Sequence, residues 1–155
     1  MSVFLSTFEN KLDGKGRVSV PASFRSALDK QNSAGVVLFP SLRHACLEGC
    51  GDQRIEQIAE SIDRLDAFSE EAEAMQTILA DSASLSIDGD GRMVLPEKMI
   101  AFAGLEHVVV FVGQGRQFQI WAPSRYQHFR DHNRDIARER GLSLRMVPRD
   151  GGGAP

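Results

Sequence analysis

The sequence predicts an α+β chain, mainly β, formed by internal duplication into a pseudo-dimer whose helices pack on one shared strand-rich core. Two observations predict it. The stretch "LDGKGRVSVP" at 12–21 returns as "IDGDGRMVLP" at 87–96, identical at five positions, with Leu/Ile, Val/Met and Val/Leu as apolar partners. Downstream, "GVVLF" at 35–39 answers to "HVVVF" at 107–111. Each half, about 45 residues, is too short to bury a core of its own, so the halves must share one. The whole chain, 155 residues with 42% hydrophobic and 25% charged, is sufficient for that core and lies in the globular range.

Taken in order, the first repeat spans 7–52. Leu12, Val18 and Val20 supply the apolar positions of two short strands around a glycine turn, and Val18 and Val20 alternate with Ser19 at the period of a half-buried strand. Asp13 can bond its own backbone two residues on, and Gly14 and Gly16 permit positive φ, so a tight connection is expected. Pro21 closes the strand and suits the first position of the helix "PASFRSALDK". The strand "GVVLFP" follows, and "ACLEG" reads as a further one.

An acidic helical linker is expected over 53–81. Ile55, Ile58, Ile62 and Leu65 form one apolar stripe with acids opposite, and Ser69 restarts a second helix carrying Met75, Ile78 and Leu79. The second repeat, 82–125, runs through its glycine turn, the helix "EKMIAFAG" with Gly104 as its stop, and the strands "HVVVFVG" and "RQFQIWAP". Over 126–155 the pattern gives the remainder of a last helix, from Ser124 to near Gly141, and a Gly-, Pro- and Arg-rich tail without fixed structure.

The net charge of −3 is unevenly distributed. Residues 1–54 carry seven Lys/Arg and five Asp/Glu, residues 55–84 one and eight, and residues 85–155 ten and eight. The acidity resides in the linker, where a solvated helical face accounts for it, and the mildly basic remainder is compatible with DNA. No 18-residue apolar run or basic leader is present, which points to the cytoplasm and away from a membrane. His44, Cys46 and Cys50 lack the second close pair that structural zinc requires, so buried or idle thiols are expected. His44, His107, His128 and His132 show no partnered nucleophile and read as surface histidines. Neither an enzyme, a metal, a cofactor nor a small-molecule substrate is expected.

What both turns keep is what shared architecture requires: Asp13 and Asp88, Gly14 and Gly89, Gly16 and Gly91, Arg17 and Arg92, Pro21 and Pro96. An Asp four residues before an Arg locks a turn by a charge-assisted hydrogen bond. The position between the glycines is Lys15 in one copy and Asp90 in the other, so folding does not demand its sign. A protruding glycine loop bearing Lys and Arg suits phosphates and base edges. Lys11, Lys15 and Arg17 make the first loop the stronger contact to double-stranded DNA; Arg92 is secondary, with Asp90 opposing a phosphate. The calcium-loop reading of "DGDGR" fails at Arg92, Met93 and Met99, and "GKG" precedes a strand, unlike nucleotide-binding fingerprints.

The stretches "LDGKGRVSVPASFR", "IDGDGRMVLP" and "VVFVGQGRQFQIW" together resemble the MraZ family of bacterial transcriptional regulators over about residues 4–130. The resemblance implies two tandem SpoVT-AbrB-type repeats whose strands form a double-split, swapped-hairpin barrel. It further implies a closed homo-oligomeric ring, an octamer or dodecamer, that works at the nucleoid. Such a ring binds direct repeats upstream of its own division and cell-wall operon. The family's D-x-x-x-R element falls on Asp13 and Arg17, then Asp88 and Arg92, and its basic contacts on Lys15 and Arg17. Asp90 departs from the pattern, where a neutral or basic residue is usual.

A ring suits the physics, because one loop makes few phosphate contacts while several loops on one rim make later contacts intramolecular. The alternative is an antitoxin-like DNA-binding protein that also sequesters a small toxin. Its wrapping segment would carry Arg130, Arg134, Arg138, Arg140, Arg145 and Arg149. Interleaved with Asp131, Asp135 and Glu139, these arginines read mostly as i,i+4 partners along a helix, with auxiliary DNA binding by the last residues as the lesser reading.

Overall fold

A computed structural model describes residues 2–149. The strand β1 (Thr7–Lys11) leads through the first glycine turn into β2 (Arg17–Ser19), then α1 (Ala22–Lys30), β3 (Val36–Pro40) and β4 (Leu47–Cys50). Two helices, α2 (Asp52–Asp63) and α3 (Glu70–Ala80), intervene. The second copy repeats the order as β5 (Ala83–Leu85), β6 (Arg92–Val94), α4 (Glu97–Ala103), β7 (Val108–Gly113) and β8 (Phe118–Trp121), and α5 (Pro123–Glu139) follows.

The duplicated strands do not pair within their own copies alone. The six-stranded sheet runs β1-β7-β8-β4-β3-β5, and a separate ribbon pairs β2 with β6. The first strand of each copy lies against the third strand of the other: β1 on β7 and β5 on β3, both antiparallel. The equivalent strands β4 and β8 meet at the centre, as do β2 and β6 in the ribbon. Exchanging the copies therefore maps the strand order onto itself reversed, an approximate two-fold symmetry within one chain. Neither copy holds its own first strand, which is how halves of this size share one core. The sheet is open, with β1 and β5 as its edges and no ladder joining them.

One face of the sheet carries the main core. Phe24 from α1 sits fully buried among Phe4, Phe8, Phe111 and Phe118, with ring centroids 5.2–6.1 Å apart and mostly edge-on. Burying such a ring contributes about 2–3 kcal/mol, and each edge-to-face pair adds about 0.5–1.5 kcal/mol. The ribbon closes this core through Val18 and Met93, with Val20, Leu95 and Met99 beside them. On the opposite face, Ile55, Ile58 and Ile78 of α2 and α3 pack on Val37, Phe39 and Cys50. Alternation along β3 makes both layers possible, since Val36 and Leu38 enter one core while Val37 and Phe39 enter the other.

The helix boundaries follow local chemistry. Pro21 is the N-cap of α1 and Pro96 that of α4, one position earlier than the first helical residue expected for Pro21. Their carbonyls accept from the N–H groups of Phe24 and Arg25, and of Met99 and Ile100. Phe24, Ala27 and Leu28 form the buried i, i+3, i+4 face of α1. The Ser69 hydroxyl accepts from the Ala72 N–H and starts α3. Gly104 ends α4 in the left-handed region, where the Leu105 N–H returns to the Ile100 carbonyl.

The chain divides into two compact units, the second beginning at Ser124. Within that second unit α5 buries no residue, and Gly141 at φ 58 closes it with a Leu142 N–H to Ala137 carbonyl bond. Residues 142–149 are exposed and form no regular structure, and the last six residues of the expected tail lie outside the described residues. Cys46 and Cys50 are free and buried, and burial pushes both thiols up to about 12. No helix among the described residues is long and apolar enough to cross a membrane.

Candidate nucleic-acid interface

The two glycine turns meet at the β2–β6 ribbon. Its register pairs Arg17 with Val94, Val18 with Met93 and Ser19 with Arg92. Strand alternation sends Val18 and Met93 inward, which leaves Arg17, Ser19, Arg92 and Val94 on one solvated face. The apolar residue at the centre of each short strand thus aims the flanking arginine outward.

Each turn is tied by its aspartate. Asp13 Oδ1 accepts the N–H groups of Lys15 and Arg17, both at 2.9 Å. Asp88 Oδ1 accepts those of Asp90 and Arg92, at 2.9 and 3.0 Å. These bonds to the ionised carboxylate favour the charged form. The backbone N–H of Arg17, then its side chain, holds Asp13 below 3.8, and the Arg92 backbone N–H does the same for Asp88. The turns are also stitched to each other. The Gly16 carbonyl accepts from Leu95 N–H and the Gly91 carbonyl from Val20 N–H, both at 2.8 Å.

Only the second glycine of each turn uses its conformational freedom. Gly16 has φ +82 and Gly91 φ +77, whereas Gly14 and Gly89 do not adopt positive φ. Contrary to the sequence expectation for Gly14, what distinguishes Gly14 and Gly89 is open space, with no atom within 4 Å of where a Cβ would stand.

The aspartates treat the two arginines differently. Arg17 Nε donates to Asp13 Oδ2 at 2.7 Å, which orients the guanidinium and leaves its terminal nitrogens for a ligand. Among the described residues no comparable ion pair joins Asp88 to Arg92, so Arg92 is tied through its backbone alone. The floors of the turns differ as well. A Cβ on Gly16 would meet the Leu95 carbonyl oxygen and Ile100, and one on Gly91 would meet the guanidinium of Arg25. Arg25 and Ile100 occupy equivalent positions of α1 and α4, so a cation underlies the Asp90-bearing turn alone.

A polar cleft of about 450 Å³ runs beside the first turn, lined by Lys11, Asp13, Arg17, Arg92, Asn10, Ser19 and His107, with Leu12 and Val18 at its base. The structure thus gathers Lys11, Arg17 and Arg92 around one space. Lys15 is exposed in the turn and does not line the cleft, and Asp90 is exposed in the other turn. Pro21 and Pro96 serve the helix starts. Sequence reasoning gave no site role to Asn10, Ser19, Arg25 or His107, the last of which it read as a surface histidine. The 75-residue offset that sets Arg25 against Ile100 was a legible signal for one; His107 reaches the cleft through the long-range β1–β7 pairing, for which the sequence carries none.

Comparison with known proteins bears on the family. The family model described as "MraZ protein, putative antitoxin-like" matches twice in tandem, over residues 3–78 and 78–142. A Rickettsia felis protein named transcriptional regulator MraZ is 42% identical over 146 residues, covering 94% of this chain and 98% of its own length. A Rickettsia bellii protein of the same name is 42% identical over 147 residues, with the same coverage of both chains. Two tandem matches and near full-length similarity place this chain in the MraZ family.

Proposed function

We propose that this chain is a DNA-binding transcriptional regulator that grips duplex phosphates and base edges with its first glycine turn. Lys11, Lys15 and Arg17 make the principal contacts, and Arg92 is secondary. The observation that carries the reading is the exposed ribbon face, on which the inward-facing Val18–Met93 pair fixes two arginines while Asp13 orients one guanidinium. The relatives' name as transcriptional regulators supports it.

On this reading residues 7–52 and 82–125 are SpoVT-AbrB-like repeats joined by the helical linker 53–81, and residues 126–155 form an appended helix and tail. The ribbon over the six-stranded sheet is a split barrel with exchanged hairpins, an assignment supported by the crossed pairing of β1 with β7 and β5 with β3. One subunit offers few phosphate contacts, so identical subunits form a closed ring, an octamer or dodecamer, that meets direct repeats. Those repeats lie upstream of its own division and cell-wall operon, and the protein acts at the nucleoid in the cytoplasm. Arg17→Ala should lower affinity for that upstream duplex at least tenfold, with far-UV circular dichroism and oligomer mass unchanged. Full affinity in Arg17→Ala, measured by fluorescence anisotropy, refutes the reading; a dissociated oligomer shows Arg17 to be structural.

A further inference from the structure

We infer that the cleft beside the first turn seats a DNA backbone phosphate and that His107 is its fourth cationic group, which makes duplex affinity rise as pH falls. The inference rests on the proposed function and adds a residue and a pH dependence to it. His107 is brought there by backbone pairing: Lys11 lies opposite Val108, and the Leu12 N–H donates to the His107 carbonyl at 2.9 Å. Its side chain is exposed and lines the same space as Lys11, Arg17 and Arg92. The remaining groups at the cleft are neutral or already engaged. Asn10 Nδ2 donates to the Ser19 carbonyl at 2.6 Å and ties β1 to β2 along one wall. The Asp13 carboxylate is occupied by Arg17 and two backbone N–H groups. Two exposed carboxylates stand outside that lining: Glu9 shares the exposed face of β1 with Lys11, and Glu106 precedes His107 in the chain.

A cleft with three permanent cations and one committed carboxylate matches a phosphodiester oxygen pair, and an imidazole at its edge adds a charge when protonated. Imidazole is the side chain that ordinarily changes charge between about pH 5 and 8, which sets the range the test spans. The approximate two-fold axis does not reproduce the site. Ser86 stands where Lys11 would be and Gly35 where His107 would be. A Cβ at Gly35 would strike the Leu85 carbonyl oxygen, so that side of the ribbon admits no side chain at this position.

The test is fluorescence anisotropy with a labelled duplex of the region upstream of its own gene, at pH 6 and pH 8 across a salt series. The wild-type chain should bind about two- to fivefold more tightly at pH 6 for each engaged subunit. His107→Ala should lose this pH response, and His107→Lys should bind tightly at both pH values. A pH response that survives His107→Ala overturns the inference, as does a wild-type affinity that ignores pH. Loss of duplex binding by the wild-type chain at every pH refutes the proposed function instead, so the two failures are separable.

Discussion

The two glycines of the first turn should respond oppositely to the same substitution. At Gly16 the backbone has φ +82, where an L-residue costs about 1–2 kcal/mol. An added Cβ would also stand 2.9 Å from the Leu95 carbonyl oxygen, a backbone atom that yields only if the ribbon moves. Moving it strains the Leu95 N–H to Gly16 carbonyl bond, worth a further 0.5–1.5 kcal/mol or so. Gly16→Ala should therefore destabilise by about 2–3 kcal/mol. Gly91→Ala carries the same backbone strain, but its Cβ meets the guanidinium of Arg25, the far end of a flexible side chain, so about 1–2 kcal/mol is expected. Gly14→Ala meets no atom and needs no positive φ, and it should stabilise by about 0.4–1 kcal/mol through the unfolded chain. Urea unfolding at one fixed protein concentration, followed by Trp121 fluorescence and far-UV circular dichroism, reads all three. Equal midpoints for Gly14→Ala and Gly16→Ala would show that the turn does not hold the conformation described.

Two further outcomes follow from the hydrogen bonds. Asp13 and Asp88 are held below 3.8 in the folded chain, so their contribution is complete above that value and is lost as pH falls through the depressed folded value. Asp13→Asn should lower the melting temperature near neutrality, and the gap to wild type should close below about pH 4 in a melting series by circular dichroism; a gap that persists at pH 2 contradicts the assignment. Gln119, buried on β8, accepts from Trp121 Nε1 at 2.8 Å and Gln114 Nε2 at 3.0 Å, and donates to Glu48 at 3.2 Å. Gln119→Leu should destabilise by about 1–3 kcal/mol and shift the emission of the single tryptophan; an unchanged urea midpoint would show the network to be incidental.

Local chemistry made much of this fold legible. The repeated turn announced the duplication, Val18 announced a strand that ends one residue before Val20, Ser69 and Gly104 marked a helix start and a helix stop, and the isoleucine stripe of α2 does face a core. What stayed hidden is long-range. Nothing in "TFENK" says that this strand pairs with β7 of the other copy, because main-chain ladders carry no residue code and both candidate partners are valine-rich. That pairing decides which side chains border the cleft, so Lys11 was found from its charge while His107, legible only as a surface histidine, was not. The division of labour between the paired glycines was equally hidden, since either can adopt positive φ and only the packing of Leu95 and Arg25 separates the second from the first.

The same packing explains how one chain supports two unequal turns. Positions related by the approximate two-fold axis stay apolar where they face the shared core: Val18 with Met93, Val20 with Leu95, Phe24 with Met99, Leu28 with Ala103. Burial enforces this, since a charge at any of them would cost several kcal/mol. Exposed equivalents carry no such constraint and have diverged, Lys11 with Ser86 and Lys15 with Asp90 in charge, Ser19 with Val94 in polarity. A dimer of two identical short chains could not separate these pairs, because each substitution would appear on both sides of the axis. Fusing the copies frees one turn to concentrate cations while the other exposes Asp90 and packs its Gly91 against Arg25. For the proposed DNA contact the consequence is directional. A symmetric ribbon would meet a duplex equally well in two opposed orientations, whereas this one has a basic end and a weaker end. In the proposed ring, whose rotational symmetry turns every subunit the same way, the proposed binding site would then repeat head to tail, whereas a two-fold pair would read a palindrome.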